Sequence, residues 1–402
     1  MKKCLPRLLT FAIEMAVQEQ EEFDYIFAGA GMAAASLLLR ILRQPKLAGK
    51  KILIADPHAF AGPEKTWCFW EKGEGFFEAL VEKTWDKAWF HGRDFSEELQ
   101  LPPYRYKMIR SKRLFDAVLS ALEKRPDIRI VNSPITSFEV SGNKIKVRSA
   151  GGQEFRGGLV FNSIPEEQEK KPGHFYLLQH FRGWFIRTGE DIFNQESATL
   201  MDFRINQEND CRFVYVLPFN AREALVEYTV FSEECLSDAR YDEELAAYLS
   251  GIAGNGYEIL EKETGVIPMY SAPFSSSRIR GLIHIGTRGG MTKASTGYTF
   301  QKAQKQSEAL IKDLLAGKIP DEKSLKISSR FAWFDRVLLR ILGDRILPGR
   351  DIFQDLFQKN PVQRVFRFLD EESGTGDEWK IMRSVPTIRF MLAGLKEILR
   401  KN

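Results

Sequence analysis

One stretch constrains this chain more than any other. Phe23–Ala28 (FDYIFA) is a short apolar run, and GAGMAA follows it at once. A helix-forming segment over Ala33–Arg43 comes next, then a second apolar run, Lys51–Ala55, that ends in Asp56. Strand, Gly-x-Gly-x-x-Ala turn, helix, strand and acid in that order make a dinucleotide-binding βαβ unit, which dictates a parallel sheet with helices packed on it. Gly29 allows the tight turn. Gly31 lets the backbone approach a pyrophosphate, and Ala34 keeps helix and strand close. The helix N-terminus faces the phosphates, and Asp56 accepts from ribose hydroxyls. The motif by itself does not choose between FAD and NAD.

The 402 residues leave room for two or three domains around this unit. With 44% apolar and 28% charged residues, the composition excludes a disordered chain and a multi-span membrane protein. Cys4, Cys68, Cys211 and Cys235 lie far apart with no CxxC, so neither a disulfide framework nor a zinc ribbon is expected, and the compartment is read as reducing. The five histidines share no ligand spacing, and no metal site is expected. A net charge of +4 and the lack of a reader motif argue against nucleic acid. The start, MKKCLPRLLTFAIEMAV, is interrupted by Arg7 and Glu14 and does not read as a signal peptide; Met15 is an alternative start.

After Asp56 the chain departs from a simple dinucleotide domain. An aromatic stretch (Trp67, Trp70, Trp85, Trp89) precedes a helix at Ser111–Leu122. Strand candidates then crowd His174–Phe231 and suit a mostly antiparallel sheet covering a substrate. A late strand, Leu282–Ile285, runs into GTRGG, then Ser295-Thr296-Gly297-Tyr298 and a helix over Phe300–Leu315. Flavoproteins of the glutathione-reductase-like class close on their flavin with such a strand, turn and helix, which favours FAD. Gly286, Gly289, Gly290, Thr296 and Gly297 are the candidate contacts there. The stretches Lys323–Arg350 and Thr387–Lys401 are basic and amphipathic, a pattern suited to an anionic membrane surface or to packing on the body.

Several ordered segments resemble the lycopene beta-cyclase family. They are Asp24–Gly31, Lys65-Thr-Trp67, Gln179-His-Phe-Arg-Gly-Trp184, Ala198–Arg204, Leu225-Val-Glu-Tyr-Thr229, Glu263–Met269, Gly286–Tyr298 and Phe366–Glu371. The likeness spans roughly Asp24 to Phe390. It departs at Tyr228, where the family has a second acid, at Ala294 in place of proline, and at Asn162-Ser-Ile-Pro165. The resemblance implies reduced FAD, with NADPH as reductant, and a net non-redox closure of the linear ψ-ends of lycopene or a related linear carotene. The product would be beta-carotene, formed through gamma-carotene. It also implies a protein on the membrane surface, placed here in the cytoplasm on the inner face of the cell membrane. Oligomeric state is not legible.

Protonating an unactivated double bond needs a neutral acid. Glu227, in the apolar run LVEYTVF, is the expected donor because burial favours its protonated form. Asp202 and Glu263 are candidate secondary acids or orienting groups. Trp67, Trp70, Trp184 and Tyr228 are candidate tunnel aromatics that would hold the cation by cation–π attraction. Two alternatives stand beside this reading: an FAD- and NADPH-dependent hydroxylase or reductase of isoprenoid lipids, and a non-catalytic carotenoid-binding protein. The expected architecture is an α/β, glutathione-reductase-like FAD-binding fold. Its first part is 23–175 and its closing segment 276–315; between them 176–275 forms a mainly antiparallel substrate-covering sheet, and 316–402 forms a helical substrate-tunnel and membrane-facing region.

Overall fold

The computed structural model describes residues 21–254, 256–322 and 328–399. The leader with Cys4 and Met15, and parts of the two basic C-terminal stretches (323–327, 400–401), lie outside the described residues.

The first sheet grows from the fingerprint. Strand Glu21–Ala28 is buried along its second half, as a parallel strand covered on both faces must be. It pairs in parallel with Ile52–Ala55 on one side and with Glu154–Asn162 on the other. Arg129–Val131 adds a further parallel strand beyond Ile52–Ala55. Strand Glu154–Asn162 has two successive partners along its other edge. Its beginning pairs antiparallel with Lys144–Ser149, which pairs in turn with Ile135–Ser141. Its end pairs in parallel with Leu282–His284, from late in the chain. Ala28, Ala55, Asn162 and His284 therefore finish at one edge of the sheet, the carboxyl edge at which open α/β sheets bind ligands. Helix Met32–Leu42 is buried over most of its length and packs on helix Phe300–Leu315, tied there by Arg40 Nη1 donating to Gln304 Oε1 at 2.8 Å. This double burial is why Phe23–Leu42 is so apolar without being a membrane span.

The second sheet runs in the order Tyr257–Tyr270, Tyr176–Thr188, Glu223–Ser232, Cys211–Pro218, Ser197–Asp202, Lys87–His91, Ser96–Gln100. Its pairings are antiparallel except for Ser197–Asp202 against Lys87–His91. The last two strands come from the early aromatic stretch, so this sheet draws on chain from both sides of residue 175. In its central strands the odd-numbered side chains face the main core, among them Leu177, Phe185, Phe213, Leu225 and Phe231. The even-numbered ones, such as Ile186, Val214 and Val226, face helix Asp238–Ala253. That is the period-two alternation of a strand covered on both sides.

A small sheet of Thr66–Lys72, Tyr104–Arg110 and Lys83–Trp85 is shared between the two large ones. Trp70, Tyr106 and Met108 belong to the core under the second sheet, and Phe69 and Ile109 to the core of the first. Helices Ser329–Gly343, Gly349–Gln358, Val362–Leu369, Thr375–Ser384 and Thr387–Leu399 close the molecule. Phe353, Phe357, Val365 and Phe366 from these helices fill the space beneath the second sheet.

Candidate active site

The nucleotide cradle is built at the carboxyl edge of the first sheet. Gly29 sits at φ +94°, a conformation that favours glycine, and a Cβ there would stand 2.4 Å from Ser163 Oγ. Gly31 is different. Its φ of −75° suits any residue, and a Cβ there would meet nothing within 4 Å. The protein supplies no reason for glycine at this helix N-terminus, whereas a phosphate lying against the backbone would. Asp56 is held by backbone amides: Ala30 N donates to Oδ2 at 2.9 Å, and His58 N and Ala59 N donate to Oδ1 at 2.8 and 3.0 Å. The carboxylate is thereby fixed beside the glycine turn with acceptor capacity left for a ribose hydroxyl.

The closing segment reaches back to the same place. Gly286 adopts φ +60°, and a Cβ on it would lie 2.7 Å from Ala33 Cβ, so the turn presses on the fingerprint helix just before Ala34. Gly289 lies against the His284 carbonyl, Gly290 against Phe274, and Gly297 against Gln179. Thr296 Oγ1 and Gln179 Oε1 are buried without a hydrogen-bond partner. Two orphaned polar atoms beside a glycine-rich turn, together with the open cradle at Gly31, fit a bound dinucleotide. The Asn162-Ser-Ile-Pro departure is stitched into this edge. Asn162 Oδ1 accepts from Ile164 N at 3.0 Å, Ser163 Oγ donates to Ala28 O at 3.2 Å, and Asn162 Nδ2 meets His284 Nδ1 at 3.3 Å.

Under the second sheet, register assembles an acidic pair. Gly183 is opposite Glu227 on one neighbouring strand and opposite Glu263 on the other, and Tyr215 continues the row beyond Glu227. All four positions are on the core face. With no side chain at Gly183, the two carboxyls lean across one gap: a Cβ there would stand 3.2 Å from Glu263 Cγ and 2.8 Å from Leu225 Cδ1. Each carboxyl accepts from a threonine hydroxyl, Glu227 from Thr229 at 2.9 Å and Glu263 from Thr66 at 2.8 Å. Burial raises the pKa of Glu227, the neighbouring Glu263 raises it further, and the Thr229 bond only partly opposes them. Burial likewise raises Glu263, against the Thr66 bond and the charge of Arg110. Two such groups share protons, and they stay partly protonated at neutral pH.

The ceiling over this pair comes from the small sheet and the closing segment. Thr66, Cys68 and Trp70 alternate toward it, with Tyr106 and Tyr298 beside them. Tyr215 lies beside Tyr298, and Cys68 beside Tyr106. Burial raises all three phenols and the Cys68 thiol, so all stay neutral. Glu227, Cys68 and Tyr298 are deep in the protein yet keep accessible surface, which places them on the wall of an enclosed space. The Trp70 indole donates to Asp370 Oδ2 at 2.7 Å, stacks on Phe366 at 4.3 Å and meets Tyr298 edge-on at 4.7 Å. Burial drives Asp370 up to about 7, with the Lys305 charge and the indole bond opposing it.

Not every expected site residue joins this space. Tyr228 and Trp184 are neighbours of Glu227 and Gly183 along their strands, so they point to the opposite face and pack under helix Asp238–Ala253. Tyr228 lies beside the Arg212 guanidinium, and Trp184 carries the Lys262 ammonium over its ring at 4.8 Å. Trp67 alternates away from Thr66 and packs against Phe115 and Phe300 in the first core. Asp202 also lies on the helix side. It holds Arg204 through contacts of 2.9 and 2.7 Å and accepts from Tyr248 at 2.9 Å. Burial raises its carboxyl, but the Arg204 bonds outweigh that and leave it lowered. Its carboxylate is held in that ion pair on the face away from Glu227. Residue-type reasoning passed over Thr66, Cys68, Tyr106, Tyr215 and Asp370; counting alternate positions along each strand is the signal that finds Cys68 and Trp70 together.

A buried charge network ties the closing segment to the C-terminal helices. Lys293 and Ser295 both donate to Asp335 Oδ1, at 2.7 and 2.6 Å. Glu371 lies 3.6 Å from Lys293 and accepts from Lys302 at 2.9 Å.

With this geometry in hand, comparison with known proteins is specific. The lycopene beta-cyclase of Pseudescherichia vulneris is 23% identical over 389 residues, covering 91% of this chain and 94% of that protein. That of Pantoea ananas is 22% identical over 400 residues, covering 94% and 99%. Among solved structures, a flavoprotein/dehydrogenase from Cytophaga hutchinsonii superposes with a TM-score of 0.56 at 12% identity, over 94% of this chain and all of that one (100%). A geranylgeranyl bacteriochlorophyll reductase-like protein from Thermoplasma acidophilum gives 0.54 at 12% identity, over 94% and 96%. These likenesses establish the α/β flavoprotein fold. The model of the Lycopene cyclase protein family matches residues 24–394, and the chain belongs to that family.

Proposed function

We propose that the chain is a lycopene beta-cyclase that closes the linear ψ-ends of lycopene to β-ionone rings, giving beta-carotene through gamma-carotene, with no net redox change. The observation that carries this reading is the buried Glu227–Glu263 pair across Gly183, roofed by neutral aromatic side chains. Glu227 in its acid form gives its proton to a terminal double bond of the polyene. A carbon–carbon bond then forms within the resulting cation, and a proton is lost to complete the ring.

Donation leaves two carboxylates facing each other in a buried site, which favours recapture of a proton by the pair. Tyr298, which keeps accessible surface on this space, would present its ring to the cation, worth roughly 0.5–2 kcal/mol. The surrounding sheet and helices exclude water, which would otherwise trap the cation as an alcohol. FAD would be held by Gly29, Gly31, Ala34, Asp56, Gly286 and Thr296; in its reduced form, with NADPH as reductant, it would supply negative charge to stabilise the cation. The outer face of helix Thr387–Leu399 would seat the protein on the bilayer that contains the substrate.

The test is anaerobic turnover of lycopene in liposomes with FAD and NADPH in heavy water. A cyclised isomer carrying solvent deuterium, formed without matching NADPH consumption, is expected. Glu227→Gln should lower the rate by about 10²–10⁴-fold or more, the usual contribution of a positioned acid. A hydrogenated or oxygenated product would overturn the proposal.

A further inference from the structure

The two carboxyls of the pair are not equally placed toward solvent. Among the described residues, Glu227 has one hydrogen-bond partner, Thr229, which is 0% exposed. Thr229 has Phe181 and Phe213 on either side of it in register, so that bond leads among apolar neighbours.

Glu263 is different. It accepts from Thr66 Oγ1 at 2.8 Å, and Thr66 keeps accessible surface at the start of strand Thr66–Lys72. In register Thr66 stands opposite Arg110, so the two side chains share a face of the small sheet. Arg110 Nη2 donates to both oxygens of Glu261 at 2.8 Å, and its Nε lies 3.6 Å from Glu64 Oε1. The Arg110, Glu64 and Glu261 side chains are 17%, 21% and 37% exposed. Glu261 precedes Glu263 by two residues in its strand and so shares its face. A line of polar groups therefore runs from the buried pair, through one hydroxyl, to a charged edge that meets solvent.

The cyclisation proposed above returns to the pair the proton that it gives, and so consumes none. An ionised pair cannot start it, and recharging a buried carboxylate from bulk water needs a route. A threonine hydroxyl donates one hydrogen bond and has lone pairs to accept others, so it can pass a proton inward and take one from a water outside. We infer that Thr66 is a proton relay between Glu263 and solvent at the Arg110–Glu261 edge. It does not touch the polyene; it acts through Glu263. In each recharging, Thr66 Oγ1 passes its proton to Glu263 Oε2 and a water passes one to Oγ1. The hydroxide left behind is neutralised by a solvent hydronium, so the net change is one solvent proton gained by the carboxylate.

This inference rests on Glu227 and Glu263 acting as the acid pair, and the experiment separates the two. It is infrared hydrogen–deuterium exchange of the full chain with FAD, without substrate. At about pH 6 ordinary carboxyls are ionised, so the protonated-carboxyl stretch lost in Glu227→Gln or Glu263→Gln reports the pair. The rate at which that band shifts in heavy water is read. Thr66→Val should slow it by about tenfold or more. Thr66→Ser should restore the wild-type rate, and Thr229→Val should leave it unchanged. Absence of the band from the wild type would overturn the acid-pair reading and this inference together. A band that is present but exchanges equally fast in Thr66→Val overturns this inference alone. So does slow exchange that persists in Thr66→Ser, or equal slowing in Thr229→Val. If Thr66→Val does not fold, Thr66→Cys, whose thiol is a weaker donor and acceptor, decides by the same comparison.

Discussion

At the scale of single residues, Gly183 matters as much as the carboxyls it separates. Gly183→Ala would push a methyl against Leu225 and Glu263, at 2.8 and 3.2 Å. We expect a loss of about 1–3 kcal/mol in urea unfolding and a clear fall in cyclisation. The pair also sets a sign for pH. Both carboxyls are raised in the folded chain, so the folded state holds protons that the unfolded chain releases above about pH 4.3. The stability they contribute is fully present below that value and is lost as pH rises through the folded values. The thermal midpoint should therefore drop between about pH 5 and about pH 8, and Glu263→Gln, neutral throughout, should flatten that drop. Turnover should fall toward the upper end of that range, about pH 7 to about pH 8, as the pair loses its shared proton. A midpoint rising with pH, or a slope unchanged in Glu263→Gln, would contradict the assignment.

At the scale of elements, what was legible in the sequence was local, and what was missed was not. The fingerprint turn, the helices Ser111–Leu122 and Phe300–Leu315 and the late strand carry their signals within a few residues, and the structure has them where those signals stand. Three aromatic candidates lie away from the acidic pair for a different reason. Trp67, Trp184 and Tyr228 were chosen beside Thr66, Gly183 and Glu227, but neighbours in a strand point to opposite faces. Glu263 could be named, yet its pairing with Glu227 depends on two strand registers that no short window encodes. The nucleotide cradle offers a test at this scale. Gly31→Asp keeps a good N-cap and its Cβ meets no protein atom within 4 Å, but it places a carboxylate where a pyrophosphate would lie. Its unfolding free energy should stay within about 0.5 kcal/mol of wild type. Its FAD affinity, measured by dialysis, should fall by roughly tenfold or more, since each 1.4 kcal/mol is tenfold.

At the scale of the whole molecule, the last helix shows an uncompensated surface. Ile388, Met391, Leu392, Leu395, Ile398 and Leu399 are exposed on Thr387–Leu399. The exposed charges on that helix are Arg389 and Lys396, while its acid, Glu397, is turned inward to Arg336 and Arg340. Among the described residues no helix is long and apolar enough to cross a membrane. An apolar face flanked by cations suits the interface of an anionic bilayer. Leu392→Glu with Ile398→Glu should lower sedimentation with phosphatidylserine-containing liposomes by about tenfold, and salt should weaken wild-type binding. Equal sedimentation of both proteins would remove this face from the argument.

The Lys293–Asp335 contact has a consequence for how such a chain can change over generations. Lys293 is 1% exposed and belongs to the segment that closes the nucleotide cradle, whereas Asp335 is 3% exposed and belongs to the C-terminal helices. Losing Lys293 alone leaves the buried Asp335 only the Ser295 hydroxyl, and losing Asp335 leaves Lys293 only Glu371, at 3.6 Å; breaking a buried pair in this way costs up to about 3–5 kcal/mol. Single-step drift at either position is therefore penalised, and viable lineages should replace the two together, for instance by an apolar pair. The helical tail cannot be shed or swapped as a module while the cradle keeps its lysine.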